Sequence, residues 1–306
     1  MDDPQLSLFK QRFAGRRAAY QQGSVQTPTT DVPIGATLRA YYASFSSGGY
    51  SKYTAGDFLG DVKKLARYVP RRTPASITTA DLQAWISSLR DTERLTEKTI
   101  SRKITAVKHY FAWLVSSCVL EENPADAIPS IRVTAPLPHI LSESECAQLR
   151  AQASADPRTY LLVLLLLETG IKKEELFGLA VTHFDFSNKY RPEVWIKHTG
   201  RKIKKDRKLY LPAETVSVFE AYRQRYRIAT QLFPYTPRCV ELLLADVTKA
   251  VGITKRVTAQ ILRDTYAVRQ LKSGECIENV LKKLGLHSNV WDDAKHKYLK
   301  LASPAL

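Results

Sequence analysis

Residues 95–114 read LTEKTISRKITAVKHYFAWL. Ile100, Ile104, Val107, Phe111 and Leu114 recur at the spacing of one helical face, so this stretch predicts an amphipathic helix. Lys98, Arg102, Lys103 and Lys108 fall off the apolar stripe, giving a basic face opposite the buried one. A helix of this kind suits the groove or backbone of DNA, and it equally suits a plain solvated surface.

Upstream, Ser51 is placed to cap a helix whose apolar positions are Phe58, Val62, Leu65 and Val69. Thr78 with Asp81 forms a capping-box pattern ahead of Leu82, Trp85, Ile86 and Leu89. With a further helix near Leu38–Phe45, four short helices make a small bundle over residues 35–120. Residues 1–34, which include QQGSVQTPTTDVP, lack sustained periodicity and read as an N-terminal arm. Downstream, EENPADAIPSIRVTAPLP holds four prolines and predicts an extended linker over 121–138.

A second domain, residues 139–306, opens with the capping-box pair Ser142 and Glu145. The apolar run Tyr160–Leu167 reads as a buried helix stopped by Gly170, and a helix near Glu174–Leu179 follows. PEVWIKHT and RKLYLP are β-prone runs flanking a basic middle, the pattern of a hairpin. Helices are expected again after Pro212, with one following Thr236-Pro237 and others over Thr258–Ser273, Glu275–Leu284 and Trp291–Leu301, Gly274 and Gly285 acting as stops. The fold class is therefore mainly α with a small β-hairpin.

Charge narrows the partner. Lys and Arg outnumber Asp and Glu by 46 to 30, a net +16, and about +10 of this lies in residues 136–306. Such an excess attracts polyanions, and nucleic acid is the usual one. The densest cluster is the hairpin tip, where Lys197, Arg201, Lys202, Lys204, Lys205, Arg207 and Lys208 face only Asp206. Alternating side chains on paired strands would present several of these to a phosphate backbone. Cys118, Cys146, Cys239 and Cys276 lie far apart, which argues against a zinc site or a disulfide framework. No apolar run reaches the roughly 18 residues of a membrane span, and no secretory leader pattern is visible. A cytoplasmic protein with no membrane partner is the expectation.

Several stretches together carry a resemblance. GYSKYTAGDFLGDVKKLARYV, ITTADLQAWISSLR and TISRKITAVKHYFAWLVSSCVLEENPADAI resemble the core-binding domain of tyrosine recombinases, the phage-type integrases. APLPHILSESECAQL, ETGIKKEELFGLAVTHFDF, the basic hairpin, AQILRDTYAVRQLKSG and VLKKLGLHS…KHKYLKL resemble the successive motifs of that family's catalytic domain, in order. The resemblance covers about residues 35–302. It implies a four-helix, SAM-like core-binding domain followed by an α+β catalytic domain, the two clamping duplex DNA. It implies strand breakage and rejoining through a 3′-phosphotyrosyl link, with no metal, other cofactor or small-molecule substrate. It also implies a homo-tetramer on DNA. Only LASPAL follows the final helix, too little for the family's C-terminal exchange, so a monomer is expected off DNA.

The resemblance implies roles residue by residue. Tyr298 matches the nucleophile, and Arg263 matches the arginine of the His-x-x-Arg motif. Gln260 stands at the histidine of that motif, where it can hydrogen-bond a phosphate but cannot exchange a proton near neutral pH. Lys172 stands at the family's first arginine, keeping charge and losing the two-pronged geometry. Lys202 matches the lysine that protonates the leaving 5′-oxygen, with Lys205 and Lys197 as alternatives. His287 matches the late histidine, although LGLHS carries one extra residue and Leu286 competes for the place. Two readings stay open: an active, divergent recombinase, or a DNA-binding descendant that has lost the chemistry. An RNA-binding or scaffold protein would share the charge but not the order of motifs.

Overall fold

The structure is a computed structural model, and it describes residues 31–48, 50–131, 133, 136–197 and 206–303. The chain divides into two compact units that meet in sequence between residues 135 and 136. The first holds α1 (Ile34–Gly48), α2 (Lys52–Tyr68), α3 (Thr79–Asp91) and α4 (Glu97–Ser116). The expected caps are present. Ser51 accepts from the Thr54 amide, and Thr78 and Asp81 close a reciprocal capping box. Its core is aromatic: Tyr41, Trp85, Tyr110, Phe111 and Trp113 are all within 1% of full burial. The tyrosine hydroxyls are satisfied inside: Tyr110 shares a 2.7 Å hydrogen bond with Thr37, and Tyr41 one of 2.9 Å with His109.

Two expectations for this unit need correction. Lys103 and Lys108 do not sit on a solvated face; they are 7% and 5% exposed. For Lys103 the cause is Asp61 on α2, itself 2% exposed, which accepts from its ammonium at 2.7 Å and draws that side chain into the bundle. The stretch expected to be a linker is also partly folded, since Ala125 and Ile128 are buried in the first core.

The second unit contains α5 (Glu143–Ala153), α6 (Pro157–Thr169), α7 (Lys173–Phe177), β1 (Phe184–Asp185), β2 (Glu193–Ile196), β3 (Arg207–Tyr210), α8 (Thr215–Tyr226), α9 (Pro237–Ala250), α10 (Ala259–Lys272), α11 (Ile277–Lys283) and α12 (Trp291–Ala302). Leu161 through Leu167 are all fully buried, because α6 runs through the centre with α5, α8 and α10 packed around it. The sheet is antiparallel in the order β1-β2-β3, so the expected hairpin gains a two-residue third strand. The β2–β3 pairing sets Val194 opposite Leu209 and Ile196 opposite Arg207, and this face turns inward. Arg201, Lys202, Lys204 and Lys205 lie outside the described residues. No described helix is long and apolar enough to cross a membrane.

Candidate active site

The C-terminal helices converge on a small cluster built from Tyr266, Ala267, Val280, Leu281, Leu284 and Tyr298. On α12, Trp291, Ala294, Tyr298 and Leu301 form the packed stripe, at helical spacing, and Tyr298 is its buried member. On α10, every residue from Leu262 to Val268 is buried, so Arg263 and Asp264 are carried inside by the helix.

Arg263, 3% exposed, is held by main-chain oxygens. It donates to the carbonyl of Gly170 at the end of α6, and at 2.7 Å to the carbonyl of Leu284 at the end of α11. Both acceptors belong to helix C-termini, where carbonyls lack helical partners and the dipole favours a cation. The approach of α6 depends on Gly170. Its φ of +57° is left-handed, and a Cβ there would lie 2.4 Å from the Tyr266 ring and 2.9 Å from Leu284.

Arg263 also lines a cleft of about 330 Å³, with Lys172, Lys173, Arg256, Gln260 and Leu244 among the other walls. Three of the six residues expected at the active site, Lys172, Gln260 and Arg263, thus share one cavity. Lys172 is the residue ahead of α7, and its backbone N–H donates to Glu175 at 2.8 Å. Arg256 is exposed on the same rim and was not anticipated; a lone arginine three residues outside a recognised motif gives no signal in sequence.

Tyr298 is not among the residues lining the cleft, yet its hydroxyl is not sealed in hydrocarbon. It donates to Asp264 Oδ1 at 2.9 Å, and the Arg263 guanidinium lies against it. Burial, then the Asp264 charge, raise the phenol's pKa well above its ordinary 10, with Arg263 pulling the other way. Asp264, 1% exposed, also accepts from Gln260 Nε2 at 2.9 Å and from the Lys297 ammonium at 2.8 Å to each oxygen. Sequence reading passed over Asp264 and Lys297. The only hint was their position beside Arg263 and Tyr298.

His287 is half-buried and opens the turn Ser288–Val290, its Nδ1 accepting from the Asn289 amide at 3.3 Å. It does not line the cleft. The competing Leu286 packs against the C-terminal cluster.

The basic residues expected on DNA divide sharply. Lys98 and Lys197 are exposed, and Arg102 is exposed while paired with Asp61 at 2.7 Å. Lys208 is half-exposed, 3.2 Å from Glu193 and over the Trp195 ring. Arg207 is a correction. It sits on the inward face of β3, donates to both oxygens of Glu175 at 2.9 and 2.8 Å, and reaches the Lys283 carbonyl at 2.6 Å. Its side chain is 10% exposed and bonded within the unit. The fit is close: a Cβ at Gly285, whose φ is +63°, would meet this guanidinium at 2.5 Å. Burial tends to raise the pKa of Glu175, but the hydrogen bonds and charge of Arg207 prevail and hold it below the usual range.

Comparison with known proteins agrees with this architecture. Residues 38–117 match the family model for the phage integrase N-terminal SAM-like domain. A tyrosine recombinase of Pseudothermotoga lettingae is 27% identical over 250 residues, 78% of this chain and 85% of that one. Tyrosine recombinase XerA of Saccharolobus solfataricus is 27% identical over 274 residues, 81% and 84% of the two chains. Among solved structures, XerH recombinase bound to palindromic difH substrate, a post-cleavage complex, aligns with TM-score 0.70 at 15% identity, over 99% of this chain and 95% of that one. A lambda integrase dimer bound to a COC′ core site gives TM-score 0.70 at 14% identity, over 89% and 79%. These two structures share the fold.

Proposed function

This chain belongs to the tyrosine recombinase family, and from that premise we propose that it is a site-specific DNA recombinase acting through a 3′-phosphotyrosyl intermediate. The observation that carries the reading is the shared cleft of Lys172, Gln260 and Arg263, with the Tyr298 hydroxyl against the same guanidinium. In the reaction Tyr298 attacks the scissile phosphorus, and the 5′-oxygen departs with a proton from a hairpin lysine, Lys202 or its alternatives Lys205 and Lys197. Arg263 binds the phosphoryl oxygens as negative charge builds, with Lys172 adding charge and Gln260 a hydrogen bond. Exposed Lys98, Arg102, Lys197 and Lys208 supply backbone contacts. Solved structures of similar fold include a lambda integrase tetramer bound to a Holliday junction, and a tetramer on DNA is the matching proposal for this chain.

Incubation with a nicked suicide duplex tests this. The wild type should form a covalent protein–DNA adduct, and Tyr298→Phe should form none while binding DNA as before. A second reading, DNA binding without chemistry, draws on the substitutions at Lys172 and Gln260 and on a hydroxyl engaged by Asp264 away from the cleft wall. It expects salt-sensitive DNA affinity, no adduct, and indifference to Tyr298→Phe.

A further inference from the structure

Gln260 leaves one proton without a destination. A phenol that attacks phosphorus must release its hydrogen, and a side-chain amide does not take it up near neutral pH. Asp264 stands one helical turn beyond Gln260 on α10. Its carboxylate receives three donors: the Tyr298 hydroxyl, the Gln260 amide and the Lys297 ammonium. A carboxylate surrounded only by donors is acting as an acceptor, and at 2.9 Å the phenolic oxygen is within direct proton-transfer range.

Resting on the recombinase reading above, we propose that Asp264 is a catalytic residue, the general base that takes the proton of Tyr298 during strand cleavage. The Tyr298 O–H bond breaks and its proton passes to Asp264 Oδ1. The oxygen's electron pair forms the new bond to phosphorus. The bond from phosphorus to the 5′-oxygen breaks, and the leaving oxygen takes its proton from the hairpin lysine. Rejoining runs the same steps backwards, with the Asp264 carboxyl returning the proton to the phenol. Gln260 and Lys297 become positioning residues for the base. Arg263 attracts the phenolate as it forms. The charged groups around the pair are Arg263 on α10 and Lys297 on α12, with Glu175 on α7 and Arg207 on β3 acting on Arg263 from behind. Burial makes Tyr298 a weaker acid than free tyrosine, which increases the need for an adjacent base.

The test is single-turnover adduct formation by the full-length protein on the suicide duplex. Asp264→Asn is expected to slow cleavage about 10²–10⁴-fold. Asp264→Glu, which keeps a carboxylate, should recover much of that rate, and Gln260→His added to Asp264→Asn should recover part of it by supplying an imidazole. Thermal melting and DNA affinity establish that each variant is folded. Should Asp264→Asn cleave at the wild-type rate, or Asp264→Glu cleave no faster than Asp264→Asn, the base assignment is overturned and the recombinase reading stands. Should the wild type itself give no adduct, the recombinase reading fails and takes the base with it.

Discussion

Each unit of the molecule buries an aspartate with a lysine bonded to it, and the two aspartates do different things. Asp61 ties α2 to α4 through Lys103 and Arg102, all within the first bundle and away from any described cleft. Asp264 has a lysine too, but it also takes a phenol and an amide whose residue lines a cavity. A buried carboxylate satisfied by cations alone is a fastening. One that holds a transferable proton beside an opening can take part in chemistry. Environment rather than burial separates the two, since both are at most 2% exposed.

Substitution should widen that contrast. Asp61→Ala leaves the Lys103 ammonium buried and unpaired, so the first unit should lose about 3–5 kcal/mol. Urea denaturation followed by the fluorescence of Trp85 and Trp113 measures the loss, and an unchanged midpoint would show the pair to be dispensable. Gly170→Ala comes next. It forces a left-handed residue against the Tyr266 ring and should cost at least about 1–3 kcal/mol in the second unit, read as a lower melting temperature. Asp264→Asn should be milder for stability, about 1 kcal/mol, because an amide still accepts from Tyr298 and Lys297 is open to water on one side. The smallest effect is Glu175. Its folded pKa lies below its unfolded value, so its stabilisation is present above about pH 4.5 and is lost as pH falls through the folded pKa. Acid denaturation of Glu175→Gln should accordingly be shallower than that of the wild type.

Local chemistry was legible in the chain and distant pairing was not. Thr78 with Asp81 and Ser142 with Glu145 announced helix starts because both partners lie within one turn. Gly170 marked a helix end for the same reason. β1 escaped notice since two residues show no alternation. Lys103 reads as part of an outward basic face, for DNA or for solvent, because Asp61, 42 positions earlier, is invisible to a helical wheel. Arg207 was assigned to DNA because strand alternation gives two faces without saying which one turns inward; its pairing with Ile196 and Glu175 decides that. At the candidate site, ordered motifs led to Tyr298, Arg263, Lys172 and Gln260. Asp264 needed the fold, since its phenolic partner is 34 residues away.

The two carbonyls that hold Arg263 have a consequence for how this family member could diverge. Main-chain oxygens are encoded at every position, so no single codon change can delete the anchors of that guanidinium. Side chains elsewhere around the cavity can change while the central cation keeps its aim. A lineage built this way can trade away helpers one at a time and still pass through folded, anion-ready intermediates.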